Sequence, residues 1–193
     1  MAAPGSIYEN APSTGPLRQG EIVSNLVQLM VTLDTIGSDE IAINKVVHPY
    51  AIVVSQDCDL EWDWQERQGE GNNNTAKLMS SVLFCEVQTA ENVRRTPGIN
   101  SRTWNFIRTN RDIRYQFLQS IEREHDSMVQ GLPELVVDFK RYFAIPVDEI
   151  YARARIGELQ RRSYFHPPYL QHLATRFYYY QYRVALPEPH FSE

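Results

Sequence analysis

The sequence predicts a single, mainly β domain with helical additions, finished by a C-terminal helix. Three observations carry that expectation. Two apolar runs, within Tyr50 to Ser55 and Val82 to Cys85, are short and uncharged, as strands buried on both faces are. A third β-rich stretch, Leu135 to Ile145, is closed by Pro146. Beyond Pro167 and Pro168, Leu170, Leu173, Ala174, Phe177 and Tyr180 recur at the three- and four-residue spacing of one helix face.

The elements follow in order. Residues 1–17 are rich in Ala, Pro, Gly, Ser and Asn without periodicity, which predicts a mobile tail. The domain then runs over 18–187, with 188–193 as a second tail. Glu21 to Val31 is rich in Ile, Val and Leu and reads as a strand. Gly37 to Glu40 marks a turn, and Ile41 to Val47 returns as a short strand. Pro49 cannot donate to a ladder, which places it at the start of the next strand, Tyr50 to Ser55.

From Asp57 to Trp64, acids alternate with Cys, Leu and two Trp, the pattern of an extended acidic edge. That edge opens an inserted loop, 57–75, which carries Gly69, Gly71 and three consecutive Asn. Lys77 to Gln88 is the second central strand, followed by an inserted loop at 90–112. Within 103–121, Tyr115, Phe117 and Ile121 fit either a helix or a strand; the strand reading, Arg114 to Gln119, is favoured because Leu135 to Ile145 looks like its hairpin partner. Pro146 to Tyr151 reads as a short helical turn, and the last helix spans about 168–184.

At 193 residues the chain buries roughly two-thirds of its unfolded surface, so neither a disulfide nor a metal is required. Two cysteines and no leader pattern point to the reducing cytoplasm. No apolar run approaches the ~20 residues of a membrane span, and no cofactor motif is present. The net charge of −5 is unevenly spread. Residues 1–93 carry four Lys/Arg against thirteen Asp/Glu, whereas 94–193 carry fifteen against eleven. The acidic half argues against broad nucleic-acid binding, which needs concentrated positive charge.

Several side chains are candidates for chemistry. Asp57, Asp59, Glu61 and Asp63 invite a hard-cation reading, but the Gly and Glu of a calcium loop are replaced by Trp62 and Gln68. A solvated edge that blocks strand pairing is the better reading. Cys58 sits between two aspartates, which disfavour a thiolate; Cys85 reads as core. Arg153, Arg155, Arg161 and Arg162 form the one basic cluster, interleaved with Tyr151 and Tyr164, and suit an RNA or protein contact. Tyr178, Tyr179 and Tyr180 occupy several faces of the last helix, so at least one ring points outward as a contact surface.

The order of signals resembles the MazF/PemK toxin family, whose fold is a small SH3-like barrel. Arg18, Gly20, Glu21 and Ile22 match the family's opening strand, with Gln19 between. His48, Pro49 and the apolar run to Ser55, Gln56 and Asp57 occupy the place of its Arg-Pro-aliphatic strand, and Glu86 to Thr89 that of the next strand, which ends in Thr. The resemblance implies a closed barrel with a C-terminal helix. It also implies a metal-independent endoribonuclease cleaving single-stranded RNA, with His48, Ser55 and Thr89 at the scissile phosphate. The family's catalytic Arg is replaced by His48, which cannot supply a permanently charged fork, and the acidic stretch after Asp57 repels phosphate. The reading favoured by these departures is a non-catalytic, degenerate member: a protein-interaction component of a bacterial stress or defence system. Its expected partner is another protein of the same operon or a second copy of the chain.

Overall fold

The computed structural model describes residues 7–37, 39–69 and 74–183. Seven strands form one antiparallel sheet: β1 (Tyr8–Asn10), β2 (Ile22–Val31), β3 (Ile43–Val53), β4 (Ser81–Thr89), β5 (Tyr115–Leu118), β6 (Leu135–Pro146) and β7 (Gln160–Phe165). Their spatial order is β1-β7-β2-β3-β4-β6-β5. Among the described residues five α-helices complete it: α1 (Asp57–Arg67), α2 (Ala90–Arg94), α3 (Ser101–Arg108), α4 (Val147–Arg155) and α5 (Tyr169–Tyr182). The mainly β architecture with helical additions and the C-terminal helix is therefore as expected. Among the described residues no helix is long and apolar enough to cross a membrane.

The expected closed barrel is not formed: β1 and β5 are the two ends of an open ladder. The ends are brought together by the segment after β5. Tyr8 donates its hydroxyl to the Gln119 carbonyl, and Asn10 its amide to the Glu124 carbonyl. Ser127 N–H reaches the Arg162 carbonyl at 2.9 Å. The sheet thus curls, but a loop seals it where a strand pair would close a barrel.

Both faces of the sheet are covered. Ile22, Ile52, Cys85, Val87, Val137 and Phe139 lie in one cluster with Leu173 and Phe177 of α5. Val23, Ala51, Val53, Val82 and Phe84 lie in a second, with Leu60 of α1 and Val147 and Ile150 of α4. Consecutive residues of β3 thus enter opposite clusters, which is why its apolar run is continuous. A third cluster seats α2 and α3 on β5 and β6 through Val93, Ile107 and Val136.

Four sequence expectations are corrected. Residues 7–17 of the expected tail are held: β1 pairs with β7, and Tyr8, Ala11 and Leu17 are buried. The expected loop 57–75 begins as the helix α1. Its inward stripe is Leu60, Asp63, Trp64 and Arg67, a helical spacing that the acid–apolar alternation disguised. The expected loop 90–112 contains α2, capped by Thr89, and α3, capped by Asn100. Pro49 lies inside a single strand β3, and does not begin a new one. It is tolerated because the β4 ladder starts only at Tyr50 and because Pro49 faces Asn25, a left-handed residue (φ 59°). Asn25 resets the alternation of β2, so that Val23 and Leu26, three residues apart, bury in the same cluster.

Beyond Asn25 and Pro49, β2 and β3 leave the sheet. β7 pairs with β2 only at Ile22–Ser24, and β4 with β3 only at Tyr50–Val53. Leu26–Val31 and Ile43–His48 continue as a two-stranded ribbon.

Candidate functional site

The three residues expected at a scissile phosphate have separate structural tasks. His48 is 8% exposed and stacks on Phe143, with ring centroids 4.1 Å apart. Its Nε2 lies 3.1 Å from the Gln28 side-chain oxygen, which assigns the proton to that nitrogen. Burial holds the imidazole below its ordinary range, against the opposing pull of Glu86, so it is neutral near pH 7. Ser55 Oγ accepts the Leu83 N–H at 2.8 Å. Thr89 Oγ1 accepts the Asn92 N–H and caps α2. No hydrogen bond among the described residues joins any two of the three.

The basic cluster is largely internal, a correction to its reading as an RNA or partner surface. Arg162 is 4% exposed, and donates Nε and Nη2 to the two Asp126 oxygens at 2.7 Å. Arg161 grips buried Glu21 at 2.6 and 2.8 Å, and donates to the Gly15 and Pro16 carbonyls. Arg153 bridges Glu149 and Glu158. Arg155 alone of the four is exposed with no ion pair among the described residues. Arginines engaged in buried carboxylate pairs cannot also neutralise an external phosphate. Sequence reasoning missed this because the acceptors lie far away in the chain.

The four acids of α1 are distributed around the helix. Asp57 is held by Arg18, and Asp63 by Arg67 and the Met79 N–H. No group of three His, Cys, Asp or Glu among the described residues is arranged to hold a metal ion. Cys58 is exposed and Cys85 buried, where burial pushes its thiol far up. On α5, Phe177 and Tyr180 pack inward, while Tyr178 and Tyr179 are exposed, the latter by 61%. The outward tyrosines are thus where the sequence placed them.

Two surface features went unread in the sequence. The first is the ribbon. Leu29, Met30 and Val31 on one strand and Ile43, Val46 and Val47 on the other are exposed, as are Leu33, Ile36 and Ile41 around its tip. Residues 26–33 carry no charge, and 43–48 only Lys45. Monomeric surfaces rarely display so contiguous an apolar patch, and an isolated two-stranded ribbon is marginal in water. The uncharged runs on either side of Gly37 were the available signal.

The second is a cleft of about 870 Å³ between α1, α4 and the start of β7, walled by Trp64, Tyr151, Ala154 and Leu159 and rimmed by Arg67, Asp148, Arg155 and Arg161. No short motif marks it, since its wall is assembled from separate segments. No protein-family model, no curated protein and no solved structure matches the chain.

Proposed function

We propose that the chain is a non-catalytic, degenerate MazF/PemK-like module that binds another protein, as one component of a bacterial stress or defence system. The observation that carries the binding role is the β2–β3 ribbon, apolar on exposed positions of both strands and without a further strand partner among the described residues beyond Asn25 and Pro49. A partner that adds a strand or an apolar face there buries surface worth roughly 25 cal/mol per Å² before the cost of association. The exposed rings of Tyr178 and Tyr179 offer a further contact. The endoribonuclease alternative has less support, because His48 is buried and neutral and the hydroxyls of Ser55 and Thr89 are engaged elsewhere.

Gel filtration of the chain isolated from its own host tests the reading. The expected result is an assembly larger than the single chain, which reverts to the single chain in Ile43→Glu/Val47→Glu. A strict monomer with a bare ribbon removes it.

A further inference from the structure

The cleft between α1 and α4 is independent of the ribbon, and its volume of about 870 Å³ lies in the range that encloses a small ligand. Its apolar wall is fixed. Trp64 meets Tyr151 edge to face at 4.9 Å, and the Tyr151 hydroxyl accepts the Leu17 N–H. Both rings remain only half-buried, so each has surface to offer.

The charges around the wall are arranged as a dipole. At one end Arg67 is shared by two carboxylates, Asp63 and Asp148, and the Asp148 side chain is 87% exposed. That end carries one negative charge in excess. Arg161 is neutralised by Glu21. At the other end Arg155 is exposed and has no ion pair among the described residues. Asp148 and Arg155 are seven residues apart on α4, which is about 10 Å along the axis at 1.5 Å per residue.

We propose that this cleft binds a short zwitterionic peptide. Its aromatic side chain packs on Trp64 and Tyr151, its terminal ammonium faces Asp148, and its terminal carboxylate faces Arg155. Three residues of extended chain, at roughly 3.3–3.6 Å each, cover the separation. A free amino acid is too short to reach both charges, and a purely anionic ligand meets Asp148 unfavourably.

Calorimetric titration of the full chain with the tripeptide Gly-Trp-Gly tests this. Binding is expected, weakened about fivefold by N-acetylation and about fivefold by C-terminal amidation, the loss of one solvated ion pair in each case. In Arg155→Ala the peptide and its amide should bind equally. In Asp148→Asn the peptide and its acetylated form should bind equally. The absence of heat at millimolar peptide, equal affinity of all three forms for the native chain, or an Arg155→Ala variant that still prefers the free carboxylate would each overturn the proposal.

Discussion

Arg18 holds Asp57 through a two-pronged ion pair, Nε to Oδ1 at 2.9 Å and Nη2 to Oδ2 at 2.5 Å. The Gln19 N–H adds a third bond to the same carboxylate at 2.9 Å. The turn before β2 is thereby tied to the first residue of α1. The segments Arg18 to Val23 and His48 to Leu60, both of which carry the family resemblance, are thus tied to each other. Burial pushes Asp57 upward, but the Arg18 and Gln19 hydrogen bonds outweigh it and hold the carboxyl below its usual range. With the Arg18 and Asp57 side chains 40% and 33% exposed, solvent screens the pair. A double-mutant cycle with Arg18→Ala and Asp57→Ala, followed by urea unfolding, should give a coupling of about 1 kcal/mol. A coupling of zero would show that the two segments are held by packing alone.

The Arg162–Asp126 pair should matter more, because it is buried and seals the curled sheet. Truncating Arg162 to Met leaves a buried carboxylate without its cation and should cost about 3–5 kcal/mol. Asp126 also accepts the Met128, Gln130 and Gly131 N–H groups. Burial raises its pKa, and Arg162 with the Met128 and Gln130 amides overcomes that, so the folded value lies below the ordinary one. The proton balance then has a definite sign. The contribution is complete above the unfolded value near pH 4, and is lost as pH falls through the lower folded value. Urea midpoints measured between about pH 5 and pH 2 should fall less steeply in Asp126→Asn than in the native chain.

Gly20 combines a positive φ of 78° with a close approach, since an added Cβ would lie 2.9 Å from Leu170 Cδ1 and 3.3 Å from Phe165 Cδ2. Gly37 has φ 88° but open space around it. Gly37→Ala should therefore cost only the backbone term, about 1 kcal/mol, and Gly20→Ala more, because the packed side chains of Leu170 and Phe165 must give way as well. Thermal unfolding of the two variants compares them directly. Equal losses would mean that α5 is loosely seated over the turn.

Much of the sheet was legible in the chain because strands announce themselves through local apolar runs. The hairpin of β5 with β6, the two-faced burial of β3 and the outward tyrosines of α5 were all readable. The misreadings arise where a distant partner decides. Alternating acids at 57–63 read as an edge strand because nothing local reveals that Arg67 and the Met79 amide claim Asp63 inside a helix turn. Arg161 and Arg162 read as a basic surface because Glu21 and Asp126 lie far off in sequence. Pro49 read as a strand start because its tolerance depends on the left-handed Asn25 opposite. Of the candidate site, the ribbon's uncharged strands were visible, but their isolation from β4 and β7 is a property of the fold.

The buried, stacked imidazole gives a further prediction. His48→Phe keeps the ring on Phe143 and forgoes only the Gln28 contact, so its unfolding midpoint should stay within about 1 kcal/mol of the native chain. Labelled single-stranded RNA should survive incubation with the native protein. Cleavage that disappears in His48→Ala and Thr89→Ala would instead support the nuclease alternative.

The proposed function places protein binding on the apolar ribbon. Photo-crosslinking in the native host tests it most directly, with the reactive side chain at Val47 on the ribbon or at exposed Arg102 on α3 as the control. The account predicts one discrete protein adduct from position 47, none from position 102, and loss of that adduct when Ile43→Glu is added to a chain that still folds. No adduct at position 47, or an adduct indifferent to Ile43→Glu, would contradict it.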